Sequence, residues 1–400
     1  MEFRRFHSFL LERGLLYVYS LFIAGYFLLP MAAGHRRLYY LLVVPVAMFL
    51  ARELWTFACQ SAITALTMVY TLWMSLSLLW TANAEVSAAL WQLWLNATTL
   101  SFVAISGFLW HHHHQKLDQM IRALLWLAAA AAAVSMLVFY LQHPFPQARL
   151  EPLGVMHHQN KGGAAYGLIL LLCLRVAISD PDQGQRWRFG CIAAVLAALV
   201  LLTQSRTALG ATCIGLAVVL GRRGLPWLAL GLGASTALVA MNPEAWSERV
   251  VGFSFRPGIW QQVLQDMQGH WLLGQGYLAD PRVYAYEKLF DHAHNGYLAS
   301  LRDGGLVGLA LLVLLLGTAL FQAYQIALRH GERLYLALLL YGMTCIAMDF
   351  DRLLVHPKEL WLFFWLPLAL LMAVYPRRMS FPVSPLMPTP AAAAKGGVVQ

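Results

Sequence analysis

The chain has 400 residues, of which 60% are hydrophobic and 12% charged, against roughly 45–50% apolar and about 25% charged in soluble domains. That composition belongs to a membrane protein and excludes a large soluble catalytic domain, since about twelve spans of about 20 apolar residues would occupy most of the chain. The net charge of +9 does not signal nucleic acid, because Lys and Arg stand in ones and twos at the ends of apolar runs, as membrane topology requires.

In chain order the apolar runs lie near residues 15–32, 38–51, 60–80, 88–110, 121–142, 163–179, 189–203, 207–221, 225–241, 305–327, 334–348 and 359–375. Twelve spans put both termini on one side. Fifteen Lys and Arg of the short loops and tails fall on that side, against seven on the other, so the termini are expected inside, in the cytoplasm. The first run is long and closely followed by another, so it reads as a span rather than a cleaved signal. Cys59, Cys173, Cys191, Cys213 and Cys345 sit inside or at the edge of apolar runs without Cys-x-x-Cys spacing and read as small buried hydrophobes. His111 to His114 read as a solvated inside loop, and Arg175 is the one clear ionisable residue within a central run. The expected fold is all-α and polytopic: residues 1–378 form one transmembrane unit with a large outside loop at 242–304, and residues 379–400, rich in proline and alanine, form a disordered cytoplasmic tail.

Polar chemistry concentrates on the outside. In the loop at 143–162, His157-His158-Gln159-Asn160-Lys161 followed by Gly162-Gly163 supplies donors, a cation and a flexible re-entry into the membrane. Thr203-Gln204-Ser205-Arg206-Thr207 makes a tight turn whose arginine needs headgroups, water or a specific anion. After Arg256-Pro257, the residues Ile259, Trp260, Val263, Leu264 and Met267 recur at helical spacing up to Gly269, predicting an amphipathic helix along the membrane surface. Gly274-Gln275-Gly276 reads as a flexible turn. Next come Asp291, His292 and His294-Asn295, with Gly304-Gly305 and Gly308 at the mouth of the following span. A histidine at a helix start feels the positive end of the dipole, which favours a neutral, proton-accepting ring; Asp291 opposes that, and a metal site stays open as the lesser reading. Arg206 and Arg256 together suit one phosphorylated ligand, since guanidinium grips phosphate oxygens with paired donors. Asp349-Phe350-Asp351, beside Arg352, weakly matches an acidic pair that holds a divalent metal on a nucleotide diphosphate.

With Ser205-Arg206, Arg256 to Trp260, Gly274-Gln275-Gly276, and His294-Asn295 followed by Gly305 and Gly308, the chain resembles the bacterial O-antigen ligase family. Its wider superfamily includes O-antigen polymerases and protein O-oligosaccharyltransferases. The resemblance implies a GT-C-like inner-membrane glycosyltransferase whose outside loop carries amphipathic helices. It also implies transfer of an undecaprenyl-pyrophosphate-linked glycan to the lipid A core in the periplasm, completing lipopolysaccharide, with no metal or other cofactor and no nucleic acid. In that scheme Arg206 and Arg256 bind the pyrophosphate, and His294 is catalytic. Asn160, Lys161, His292 and Asn295 are additional candidate contacts. The overall length and the lack of an extended soluble C-terminal part favour a ligase over the protein-transferring relatives. A lipid-linked glycan transporter is the rival class; it would place charges deep in the spans and broken helices in repeated halves.

Overall fold

The computed structural model describes residues 2–374 apart from 83, 225, 227, 228, 230–232 and 234–254. The expected span at 225–241, the first part of the outside loop and the tail from residue 379 therefore lie largely or wholly outside the described residues. The helices are α1 (Arg4–Leu28), α2 (Ala32–Phe49), α3 (Ala51–Ala58), α4 (Ala62–Trp80), α5 (Val86–His112), α6 (His114–Tyr140), α7 (Gln159–Ser179), α8 (Gln183–Leu202), α9 (Arg206–Leu220), α10 (Phe255–Asp266), α11 (Gly296–His330), α12 (Leu334–Asp349) and α13 (Trp361–Val374). Seven of them, α1, α4, α5, α6, α7, α8 and α11, are long and apolar enough to cross a membrane. The pair α2 and α3 meets that test together across an 80° bend, and α9, α12 and α13 are shorter apolar helices. Every apolar run except 225–241 falls on one of these, in the architecture of a helical, polytopic membrane protein.

Helix starts are marked by side chains that accept orphan amides: Ser61 at α4, Asp182 at α8, Ser205 at α9 and Asn295 at α11. In lipid this matters more than in water, because no solvent satisfies a bare N–H. His111 and His112 end α5 and His114 opens α6, so the histidine run is a helix junction rather than a solvated loop. Arg175 is not stranded in the membrane: it lies near the end of α7 and donates through Nε to Glu332 Oε1 at 3.0 Å. The same carboxylate oxygen takes the Leu334 amide at 3.1 Å, fixing the turn into α12.

The loops that follow α1, α4, α6, α8, α10 and α12 gather at one end of the bundle, opposite the Arg175–Glu332 pair. That end is not purely helical. Val283–Ala285 (β1) pairs antiparallel with Lys288–Phe290 (β2) around Tyr286 and Glu287, whose φ angles are 51° and 58°. Both central residues at positive φ is what a tight two-residue hairpin demands, yet neither is the glycine or asparagine that normally announces it. The all-α expectation is corrected to this extent. The apolar stripe of α10 is also covered by protein: Ile259 and Val263 pack with Val283, Ala285 and Ala293 in a small core of their own.

The turn at Gly274-Gln275-Gly276 is rigid rather than flexible. Gln275 N–H donates to Arg302 O at 2.7 Å and Gly276 N–H to Asp303 O at 3.0 Å. Opposite it, Gly305 interrupts α11 at φ 67°, and Leu306 N–H turns to Trp271 O at 2.7 Å. A Cβ on Gly305 would stand 2.2 Å from Leu272 O. Gly305→Ala is therefore expected to combine a forbidden φ with a backbone clash and to cost about 2 kcal/mol or more, read as a drop in the thermal unfolding midpoint in detergent. Gly317→Ala, where nothing lies within 4 Å of the added carbon, should leave that midpoint unchanged or slightly higher.

Candidate functional site

Asp349 is the last residue of α12, where Phe350 turns to extended backbone. Its Oδ1 faces His294 Nδ1 at 3.1 Å and Arg256 Nη2 at 3.8 Å, and the Asn160 side chain lies beside the same carboxylate. Four segments far apart in sequence thus meet at one group: the end of α12, the first turns of α10 and α7, and the turn before α11. A carboxylate beside a guanidinium and an imidazole is an ionised acceptor. It can only accept, so the shared proton sits on His294 Nδ1. The Asp349 side chain is 9% exposed and that of His294 31%, so the carboxylate is sealed while the imidazole opens outward through Nε2. The acid that meets His294 is therefore not the neighbouring Asp291, which is exposed.

The loop around His294 is held in an unusual shape. His294 has φ 51°, its amide donates to His292 Nδ1 at 3.0 Å, and the two rings lie 4.1 Å apart. Trp260 Nε1 donates to Ala293 O at 3.1 Å, tying α10 to the same turn. Asn295 accepts the amides of Tyr297 and Leu298, so its side-chain oxygen is committed to starting α11 rather than to a ligand. Burial, with the neighbouring His294 adding to the effect, pulls His292 from 6.5 down to about 4. At neutral pH it is an uncharged acceptor that props up its neighbour.

On the facing side, Arg149 donates to Thr203 O at 3.2 Å and to Asn160 Oδ1 at 2.9 Å, linking the turn before α9 to the first turn of α7. Gly163 lets those segments close up: a Cβ there would meet Thr203 Oγ1 at 2.9 Å. Gly162 and Gly163 are thus buried helical contact points, not a flexible hinge. Arg206 stands exposed as the first residue of α9, on this same face. Lys161 lies one residue beyond Asn160 in α7.

Beneath the cluster runs a brace of charges. Arg302 Nε contacts Asp303 Oδ1 at 2.7 Å, Arg302 Nη2 contacts Asp351 Oδ1 at 3.3 Å, and Arg352 Nε contacts Asp303 Oδ2 at 2.8 Å. The Asp349-Phe350-Asp351 pattern is therefore divided between two jobs, Asp349 facing His294 and Asp351 facing Arg302. Among the described residues no group of three or more His, Cys, Asp or Glu is arranged to hold a metal ion. The pairing of His294 with Asp349 and the brace were both missed in sequence. The available signal was an acidic residue at the end of an apolar helix, on the side that holds the histidine.

Chemically, the cluster offers an outward-facing imidazole nitrogen backed by a carboxylate, with cationic side chains around it. Replacing Asp349 by Asn leaves the shape but removes the acceptor that selects the Nδ1–H tautomer. Any reaction that uses His294 Nε2 as a base should then slow by about 10²-fold or more, seen in kcat of the folded variant. The His292 shift has its own sign. With a folded value near 4 against 6.5, its contribution to stability is full above about pH 6.5 and is lost as pH falls toward 4. Unfolding midpoints measured from pH 7 to 4 should fall less steeply in His292→Asn than in the unmodified protein.

No family model matches the chain. An O-antigen ligase of Pseudomonas aeruginosa is 28% identical over 351 residues, which covers 85% of this chain and 85% of that protein. The match therefore extends well beyond the turns that carry arginine and histidine and takes in most of the helical bundle. Over most of its length the chain is similar to an O-antigen ligase, in keeping with the resemblance its motifs carry.

Proposed function

We propose that the protein transfers a glycan from undecaprenyl pyrophosphate to a sugar hydroxyl of the lipid A core, at the periplasmic face of the inner membrane with both termini in the cytoplasm. The observation that carries this reading is the contact of His294 and Arg256 with a single sealed carboxylate, Asp349. The acceptor hydroxyl attacks the anomeric carbon, His294 Nε2 takes its proton, and the bond from that carbon to the pyrophosphate oxygen breaks. The product is a new glycosidic bond, undecaprenyl pyrophosphate and an imidazolium, which Asp349 stabilises through Nδ1–H. Arg256 and Arg206 neutralise the charge that grows on the departing phosphate. Asn160, Lys161 and His292 line the approach. Direct displacement of this kind inverts the anomeric centre. The two guanidiniums supply the positive charge that a divalent ion supplies in many phosphate-leaving reactions, so the proposed reaction proceeds without one.

The Pseudomonas relative is named an O-antigen ligase, which supports the ligase reading over the polymerase and protein-transferring ones. Purified protein, lipid-linked glycan and lipid A core, incubated with a chelator, should give transfer. His294→Ala should abolish it, and Arg206→Lys and Arg256→Lys should each lower it by about 10²-fold, because a point charge lacks the paired donors of guanidinium. Full activity in His294→Ala would remove the base. Transfer to a peptide or to a second lipid-linked glycan, and not to core, would make the protein a protein O-oligosaccharyltransferase or a polymerase instead.

A further inference from the structure

A second group of cations lies on the same side as the Asp349 cluster; of its members only Lys161 lines the approach in the proposed reaction, and none takes part in the bond-making steps. Lys358 belongs to the loop between α12 and α13, Lys161 to the first turn of α7, and Arg36 to the start of α2. These segments are pinned to one another. Tyr26 donates its hydroxyl to Lys358 O at 2.9 Å, Trp361 N–H donates to the same oxygen at 2.9 Å, and Val155 N–H reaches Leu29 O at 3.2 Å. His356 feels the charges of Lys358, Arg36 and Lys161 together, Lys358 feels Lys161, and the field of Lys358 reaches His292 in the candidate site.

The charges are not matched within the protein. Among the described residues neither Lys161 nor Lys358 has a carboxylate within 4.0 Å, and neither ammonium makes a hydrogen bond. Of the acids whose charge reaches Lys358, Asp351 is engaged by Arg302, which leaves Glu359. Burial pulls His356 down to about 4, with Lys358, Arg36 and Lys161 adding to the shift, so it is neutral and offsets nothing. Burial lowers Lys358 as well; Glu359 opposes that shift and Lys161 reinforces it. Half-buried like charges that feel one another repel, and a bound anion reverses the sign of that energy.

We infer that Lys161 and Lys358, with Arg36 at the rim, form a second anion subsite that takes a phosphoryl group of a lipid-linked substrate. The identity of that substrate rests on the proposed function. The group is either the second phosphate of the donor pyrophosphate or a phosphate carried by the acceptor. Ammonium groups suit this task because they meet a tetrahedral anion as point charges, leaving the forked contacts to Arg206 and Arg256.

The test measures binding of a short-chain polyprenyl diphosphate without sugar, and transfer kinetics, in the full-length protein and in Lys358→Gln, Lys161→Gln and Lys358→Arg. Lys358→Gln should weaken diphosphate binding by about tenfold and raise the donor KM similarly, with kcat within a few-fold, while Lys358→Arg stays within about threefold of the unmodified protein. An unchanged donor KM with a raised acceptor KM supports the subsite and assigns the phosphate to the acceptor. Should Lys358→Gln fail to fold, Lys161→Gln must show the same KM effect. Active transfer with neither KM altered in the folded variants overturns the subsite and leaves the proposed function standing. Absence of transfer in the unmodified protein overturns the function, and diphosphate binding then decides the subsite on its own.

Discussion

One end of the bundle is organised around one carboxylate. Asp349 ends an apolar helix with a charge that has no place in lipid, and the fold satisfies it with an imidazole, a guanidinium and an amide from three other segments. Removing any partner leaves a nearly sealed acceptor short of donors, which is far costlier than losing a surface contact. The cluster therefore does two things at once. It locks α12 against α7, α10 and the start of α11, and it sets which nitrogen of His294 looks outward.

That arrangement needs a stiff floor. The chain leaves Asp349 and passes within two residues into the Arg302–Asp303–Asp351–Arg352 brace. The break at Gly305 lets the 271–276 segment hydrogen-bond into the interrupted α11 from the side. The hairpin and α10 then close a small core over Ala293, immediately before the histidine. Each device is local, yet all of them act on the same few residues, so the geometry at His294 is over-determined rather than left to a loop.

Most of the bundle was legible because lipid punishes a span that is not apolar: every run but 225–241 coincides with a described helix. The motif residues were legible as polar groups that a membrane protein has little reason to keep at the ends of spans, and His294, Arg256 and Asn160 do meet at Asp349. The pairing itself was hidden, because Asp349 lies 55 residues from His294 and its neighbour Asp351 made the two acids look like a unit. The hairpin was hidden because Tyr286 and Glu287 adopt positive φ without the residues that favour it. Gly274 and Gly276 were read as freedom when their role is close approach: added carbons would meet Gly305 N at 2.5 Å and Thr81 Oγ1 at 2.2 Å. Glycine in a sequence marks special backbone but does not tell a hinge from a tight contact.

If Asp349 sets the tautomer of His294, a direct look at that ring decides the matter. Nitrogen NMR of histidine-labelled protein in detergent, with the His294 signals assigned by comparison with His294→Gln, should show that the neutral ring carries its proton on Nδ1 and leaves Nε2 bare. It should also show that order lost in Asp349→Asn. A neutral His294 ring protonated on Nε2, or one indifferent to the change at position 349, would contradict the account.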